Sequence, residues 1–191
     1  MKRPLEMAHD FLAEVVTKED IVVDATMGNG HDTLFLAKLA KQVYAFDIQE
    51  QALEKTQERL DQAGMKNAQL ILKGHETLDQ FVTCLLYTSP SPRDQFVTEA
   101  KAGIFNLGYL PSADKSVITQ PQTTIEALEK LCHLLGKGGR IAIMIYYGHE
   151  GGDTERDAVL DFVSQLNQQE YTAAIYRTLN QVNNPVSYTH L

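Results

Sequence analysis

Two carboxylates, Asp24 and Asp47, each close a short apolar run, and between them lies a turn with glycines at alternate positions, Thr26-Met27-Gly28-Asn29-Gly30-His31-Asp32. Such a pattern suits a ligand with cationic or hydroxyl groups lying against a bare backbone. A side chain at Gly28 or Gly30 would block close approach, and glycine reaches positive φ at little cost. A third polar group, Asn106-Leu107-Gly108-Tyr109-Leu110-Pro111, ends another apolar run. A fourth, Tyr146-Tyr147-Gly148-His149-Glu150-Gly151-Gly152, is a glycine-rich stretch around a histidine, suited to a closing loop.

The elements that must position these groups follow from the apolar spacing. Ile21-Val22-Val23 predicts a short buried parallel strand. The glycine turn leads into a helix with Leu34, Leu36, Ala37 and Ala40 on its apolar side, capped by Asp32 or Thr33. Strand, glycine turn and helix make the first unit of a doubly wound sheet, where ligands bind at the carboxyl ends of the strands. Val43–Ile48 is the second strand, with Asp47 near its end and a helix over 51–63 behind it, closed by Gly64. A carboxylate there can accept both ribose hydroxyls of an adenosine; it can also simply cap the helix. Ala68–Lys73 is the third strand, and Gly74-His75-Glu76 falls where an adenine edge would be met, or forms an ordinary turn.

Two adenosine ligands compete for this site. A dinucleotide wants Gly-x-Gly-x-x-Gly, and its third glycine is replaced by Thr33. S-adenosylmethionine (SAM) suits an acidic residue closing the first strand: Asp24 would take its ammonium, directly or through water, and the amides of the turn and helix start would face its carboxylate. Gly28, Gly30 and their neighbour Thr26 are counted with the cofactor site.

Ala102–Tyr109 is the fourth strand. Enzymes that methylate exocyclic amines place a short polar-aromatic motif at its end, commonly (Asn/Asp)-Pro-Pro-(Tyr/Phe), whose Asn and carbonyls hold the target nitrogen while the ring stacks on the base. Asn106-Leu107-Gly108-Tyr109 is a loose version, and taken alone it reads as a strand followed by a turn around Gly108 and Pro111. A helix over 123–135 and a fifth strand over 140–147 follow. His149 then stands over the same cleft, placed to orient or deprotonate an amine or else exposed on a loop. A helix over 153–167 and a strand over 171–179 complete the pattern. At the other end, residues 5–16 predict an amphipathic helix, with His9 on or near its apolar border as a packing or surface residue or, alternatively, a lid residue over the cofactor.

Asp-Gln-Phe-Val-Thr occurs at 79–83 and again at 94–98, and removing residues 84–98 leaves the pattern intact. The repeat marks an insertion, expected to be an exposed excursion, since Ser-Pro-Ser-Pro-Arg fits neither a helix interior nor a central strand. Its Leu-Leu-Tyr-Thr-Ser-Pro-Ser-Pro-Arg also resembles translated sequencing-adapter text. The tail Val-Ser-Tyr-Thr-His-Leu echoes it, and is expected to be an altered end that weakens the final strand.

The 191 residues fit one domain with a sizeable core. Two cysteines, Cys84 and Cys132, suggest neither a disulfide framework nor a metal site. No apolar run reaches the roughly 18 residues of a membrane span, and the start is no signal peptide, so the cytoplasm is the expected compartment. The net charge of −8 disfavours a broad nucleic-acid surface but leaves room for a local basic patch.

Together, Asp-Ala-Thr-Met-Gly-Asn-Gly-His-Asp-Thr, Tyr-Ala-Phe-Asp-Ile-Gln-Glu, Phe-Asn-Leu-Gly-Tyr-Leu-Pro, Asp-Lys-Ser-Val-Ile-Thr and Tyr-Gly-His-Glu-Gly-Gly resemble the "putative rRNA methylase" family of small class I methyltransferases. The resemblance implies a single-domain α/β, Rossmann-like fold with a mostly parallel doubly wound sheet and a final antiparallel strand. It implies SAM as cofactor and, despite the family's label, methylation of the amine of 5-aminomethyl-2-thiouridine at the tRNA wobble position. On that basis Asn29, Asp32, Asp47, Gln49 and His75 would contact the cofactor, and Asn106, Tyr109, Asp114 and His149 would lie toward the substrate. The expected partner is RNA, the anticodon stem-loop of a tRNA, with no membrane; a homodimer is left open. The runner-up is a methyltransferase for a small-molecule amine, then an adenosine-binding scaffold without catalysis, then a dehydrogenase.

Overall fold

The computed structural model describes residues 2–82, 99–108, 118–146, 152–177 and 186–190, the last five by their backbone. The expected insertion at 84–98 and the site residues Tyr109, Asp114 and His149 lie outside the described residues.

Seven strands form one sheet in the order β3-β2-β1-β4-β5-β7-β6. β1 (Ile21–Asp24), β2 (Gln42–Asp47), β3 (Ala68–Leu72), β4 (Ala100–Leu107) and β5 (Leu135–Ile145) are parallel neighbours. β7 (Val186–His190) runs antiparallel to both β5 and β6 (Ala173–Tyr176). The short tail thus forms a strand inside the sheet, and β6 takes the edge. Successive residues alternate between the two faces, as the strand period of two requires. Val22, Val43, Ala45, Ile104 and Met144 meet α1 (Pro4–Ala13), α2 (His31–Leu39) and α3 (Glu50–Gln62). Val23, Phe46, Phe105 and Ile143 face the other way, toward α5 (Pro121–Leu134) and α6 (Gly152–Gln165). α4 (Asp79–Val82) is a single turn.

The helices form where their buried residues recur at helical spacing: Ala8 and Leu12 in α1, Ala52, Thr56 and Leu60 in α3, Thr124, Ala127, Leu128 and Leu131 in α5. Two local expectations differ from the structure. α2 begins at His31 behind Gly30, with no side-chain cap, and Asp32 and Thr33 sit inside its first turn. β5 starts five residues before Arg140: Ala100 pairs with Leu135 and Ala102 with Arg140, so the glycines at 136, 138 and 139 are absorbed by an irregularity in the strand.

The strand order departs in both directions from β1, which makes β1 and β4 the switch point where a doubly wound sheet opens a crevice at its carboxyl end. The glycine turn lines that crevice from the β1 side. Gly30 has φ +76°, and a Cβ there would come within 2.8 Å of the Thr56 backbone on α3. Gly30→Ala therefore adds positive-φ strain and a backbone clash, an expected loss of about 1–3 kcal/mol. Gly103→Ala would meet only the movable end of Leu131, so it should cost less. Urea unfolding of the two variants checks the order.

Candidate active site

The site is built on Asp24. Its carboxylate has no exposed surface and is surrounded by the turn it supports. Oδ1 accepts the Thr26 N–H at 3.2 Å, and Oδ2 accepts the Thr33 hydroxyl at 2.6 Å. Thr33 stands where a dinucleotide fold has its third glycine, and here that side chain is needed. Burial, reinforced by the charge of nearby Asp32, pushes Asp24 up to about 7. Sequence reasoning gave Asp24 the ammonium of the cofactor; the structure encloses it behind the turn, with both oxygens engaged.

The turn itself is held from the α3 side. Thr56 donates its hydroxyl to the Gly28 carbonyl at 3.2 Å, and Arg59 Nε donates to the Asn29 carbonyl at 2.8 Å. Gly28 N–H donates to Asp47 Oδ2 at 3.0 Å, and Gln49 N–H donates to Asp47 Oδ1 at 3.0 Å. Asp47 thus ties the tip of β2 to the turn after β1. Its carboxyl is raised by burial, against the lowering effect of those amides. The carbonyls of the turn are thus tied down, and no side chain caps α2, which carries Asp32 in its first turn.

Among the described residues of this site, two buried acceptors stand without a protein partner. His75 follows β3; its Nδ1 lies 3.0 Å from the Ala25 carbonyl. A carbonyl only accepts, so Nδ1 carries the proton and Nε2 is a bare acceptor. Nε2 is buried and has no hydrogen bond. Burial lowers the pKa of this imidazole, which keeps it neutral, and its ring meets the edge of Phe105. Asn29 Oδ1 is likewise buried and unbonded. Glu76 folds its carboxylate over Gly74, where it would collide with a Cβ.

Asn106, near the end of β4, is the hub of the β4 side. Its N–H donates to Thr26 Oγ1 at 2.6 Å, joining the turn to the fourth strand. Its side-chain Nδ2 donates to Asp32 Oδ2, and Asp32 Oδ1 lies 2.5 Å from His9 Nε2. Carboxylate oxygens accept, so the amide nitrogen of Asn106 must face Asp32 and its carbonyl oxygen is turned away from it. Tyr146, just past β5, completes this corner; burial and the charge of Asp32 raise its phenol. Below it, Gly108 and Thr119 bracket residues 109–118. Thr119 N–H donates to the Gly108 carbonyl at 3.0 Å, and Gly108 N–H to Thr119 Oγ1 at 2.8 Å. The buried carboxylate of Glu155 accepts the hydroxyls of Thr119 and Thr124.

The structure therefore brings together Asp24, Thr26, Gly28, Asn29, Gly30, Asp32, Asp47, Gln49, His75 and Asn106 around the tips of β1, β2 and β4. Thr26 faces inward as a brace. Sequence reasoning missed Thr33, Tyr146 and Glu155, and placed His9 first as a packing or surface residue and only second as a lid over the cofactor. Only the helical register of His9 beside Ala8 and Leu12 hinted at its placement. Among the described residues, no helix is long and apolar enough to cross a membrane and no side-chain cluster could hold a metal ion.

A profile of the "Putative rRNA methylase" family matches residues 43–190. The chain is 36% identical, over 97% of its length and 68% of the relative's, to a chloroplastic tRNA (mnm(5)s(2)U34)-methyltransferase of Arabidopsis thaliana. A "putative methyltransferase" from Streptococcus mutans, solved in complex with S-adenosylhomocysteine (SAH), is 52% identical with a TM-score of 0.88, covering 100% of this chain and 98% of that one. A "putative rRNA-methylase" from Clostridium thermocellum is 37% identical with a TM-score of 0.89, covering 100% and 97%.

The buried acid makes stability depend on pH. Folding keeps on Asp24 a proton that the unfolded chain releases above its ordinary value of 3.8. This contribution is full below 3.8, is lost as pH rises toward about 7, and is flat above that. Asp24→Asn, which cannot ionise, should lack this decline. Urea unfolding of both proteins across that pH window checks it.

Proposed function

Because the chain belongs to the "Putative rRNA methylase" family, we propose that it methylates the amine of an aminomethyl group on a wobble uridine of tRNA. It is a SAM-dependent methyltransferase, and the residues at the crevice fit that cofactor. The uncapped start of α2 suits the methionine carboxylate. Asp47, whose oxygens each keep a further lone pair, suits the ribose hydroxyls. The bare Nε2 of His75 is an acceptor for an exocyclic amino group such as that of adenine, and Asn29 Oδ1 is an acceptor for a further donor. Gln49 and Glu76 are, in this reading, further contacts of the cofactor. When bound, SAM supplies a methyl group on a positively charged sulfur, a good leaving group.

The observation that carries the reading is the orientation of Asn106. Asp32 holds the amide nitrogen, so the carbonyl oxygen is the end available to a substrate. An amine offers N–H donors to that oxygen while its lone pair stays directed at the methyl group. This selects the neutral amine, since the lone pair is absent from the ammonium form. Most of the catalytic task is then placement in line with the bond being broken, an effect that can remove roughly 7–11 kcal/mol of barrier. Tyr109, Asp114 and His149 belong, in this reading, to the substrate side, with His149 orienting the amine or taking its proton. The substrate class is supported by the name of the Arabidopsis relative, 36% identical to this chain. In this reading a local basic patch holds the RNA against the net negative charge of the whole.

Calorimetric titration with SAH and methyl transfer to undermodified tRNA separate the two halves of this site. Asp47→Ala should weaken SAH binding by about 10–100-fold, the worth of charge-assisted hydrogen bonds. Asn106→Ala should bind SAH as the parent does, yet transfer the methyl group about 100-fold more slowly. Normal SAH binding by Asp47→Ala would remove the ribose assignment, and undiminished transfer by Asn106→Ala would remove the amine-holding role.

A further inference from the structure

His9 belongs to α1, outside the β-strand tips and turn that build the cofactor crevice, yet its ring is fixed on two sides. It stacks on Phe35 with centroids 3.8 Å apart and an interplanar angle of 5°. Its Nε2 lies 2.5 Å from Asp32 Oδ1. Phe35 and Asp32 are three residues apart on α2, so one helix face supplies both the platform and the partner. The side chains of His9 and Asp32 are largely covered, at 23% and 10% exposure. α1 itself is anchored by Ala8 and Leu12, which are fully buried against the sheet.

From this we infer that His9 is a positioning residue for methyl transfer, acting through Asp32 on the amide of Asn106. The inference rests on the amine-methylating reading above. The two oxygens of Asp32 serve different neighbours, Oδ1 the imidazole and Oδ2 the amide nitrogen of Asn106. Fixing Oδ1 fixes the plane of the carboxylate, and thereby the place of Oδ2. An Asp32 released from His9 has only the Asn106 amide left to hold its carboxylate plane. Asn106 then loses the group that determines which end of its amide faces away from α2. A flipped amide would present N–H to the N–H of an amine, two donors opposed, and the amine would no longer be held in line. Because Asn106 stays attached to Thr26 through its backbone, the strand tip remains in place and the defect is one of side-chain orientation.

Two replacements in the full chain divide the roles of the ring. His9→Phe preserves a flat ring over Phe35 and removes the donor. His9→Gln removes the ring and restores a donor within reach of Asp32. For His9→Phe the expected result is a fall in kcat of about tenfold, with the KM for tRNA and the midpoint of thermal unfolding unchanged. His9→Gln should recover kcat to within about threefold of the parent, the size of one ordinary hydrogen bond or less. In an Asp32→Asn background, adding His9→Phe should give no further loss, because the route through the carboxylate is already broken. The inference is overturned if His9→Phe turns over like the parent, if His9→Gln falls as far as His9→Phe, or if the two losses add in the double variant. A parent protein that binds SAH but transfers no methyl group to an aminomethyl-bearing tRNA would instead overturn the substrate reading on which the inference rests.

Discussion

Everything at the crevice depends on a carboxyl group sealed beneath a glycine turn. Asp24 has no contact with solvent, and an unpartnered polar group there would cost several kcal/mol. Its partners are Thr26 and Thr33, one on each side of the turn. The same turn that must lie open to a ligand is therefore clamped from below at both ends. Thr26 passes the constraint on, because its hydroxyl accepts the backbone N–H of Asn106. The glycine turn and the tip of β4 form one hydrogen-bonded unit, which sets the distance between them. Preorganisation of this kind is what an in-line transfer demands, since reacting atoms displaced by about 1 Å can lose two orders of magnitude in rate.

The electrostatics follow from the same arrangement. Asp24, Asp32 and Asp47 crowd one end of the sheet, and two of them are pushed upward by burial. A sulfonium and an ammonium relieve that crowding, whereas a diphosphate would aggravate it. The adenosyl sulfonium is thus the adenosine ligand that the charges favour, independently of the missing third glycine. His75 contributes the opposite property, a buried uncharged acceptor beside Phe105. Carboxylates on one side and a neutral acceptor on the other divide the crevice into regions of distinct chemistry.

Much of this was legible in the sequence. The β-branched run before Asp24 and the alternate glycines place the first βα unit, and Asp47 at the end of the next run places the second strand beside it, as the parallel pairing of β1 and β2 bears out. The family and the cofactor were readable from the motifs in combination. What escaped was long-range. Nothing local in the sequence says that Thr33 would reach back to Asp24, nine residues earlier, or that His9 would meet Asp32 across 23 residues. The expectation of a capping Asp32 or Thr33 failed for the same reason: tertiary partners claim both side chains, and Gly30 in a left-handed conformation starts the helix. Tyr146 was read as part of a loop because its neighbourhood is rich in glycine, and only the end of β5 brings it beside Asp32. Boundaries slipped at β5 because glycines signal a turn in one dimension, while here the ladder resumes around them.

The central claim is that an adenosyl sulfonium lies across the tips of β1 and β2, its sugar at Asp47, its carboxylate at the start of α2, and its sulfur toward Asn106. A crystal structure of this chain with SAH tests it most directly. The account predicts both ribose hydroxyls within hydrogen-bonding distance of Asp47, an adenine amino group at His75 Nε2, and the sulfur facing the Asn106 carbonyl oxygen. SAH bound elsewhere, or a crevice filled by a side chain while the ligand sits outside it, would contradict the account.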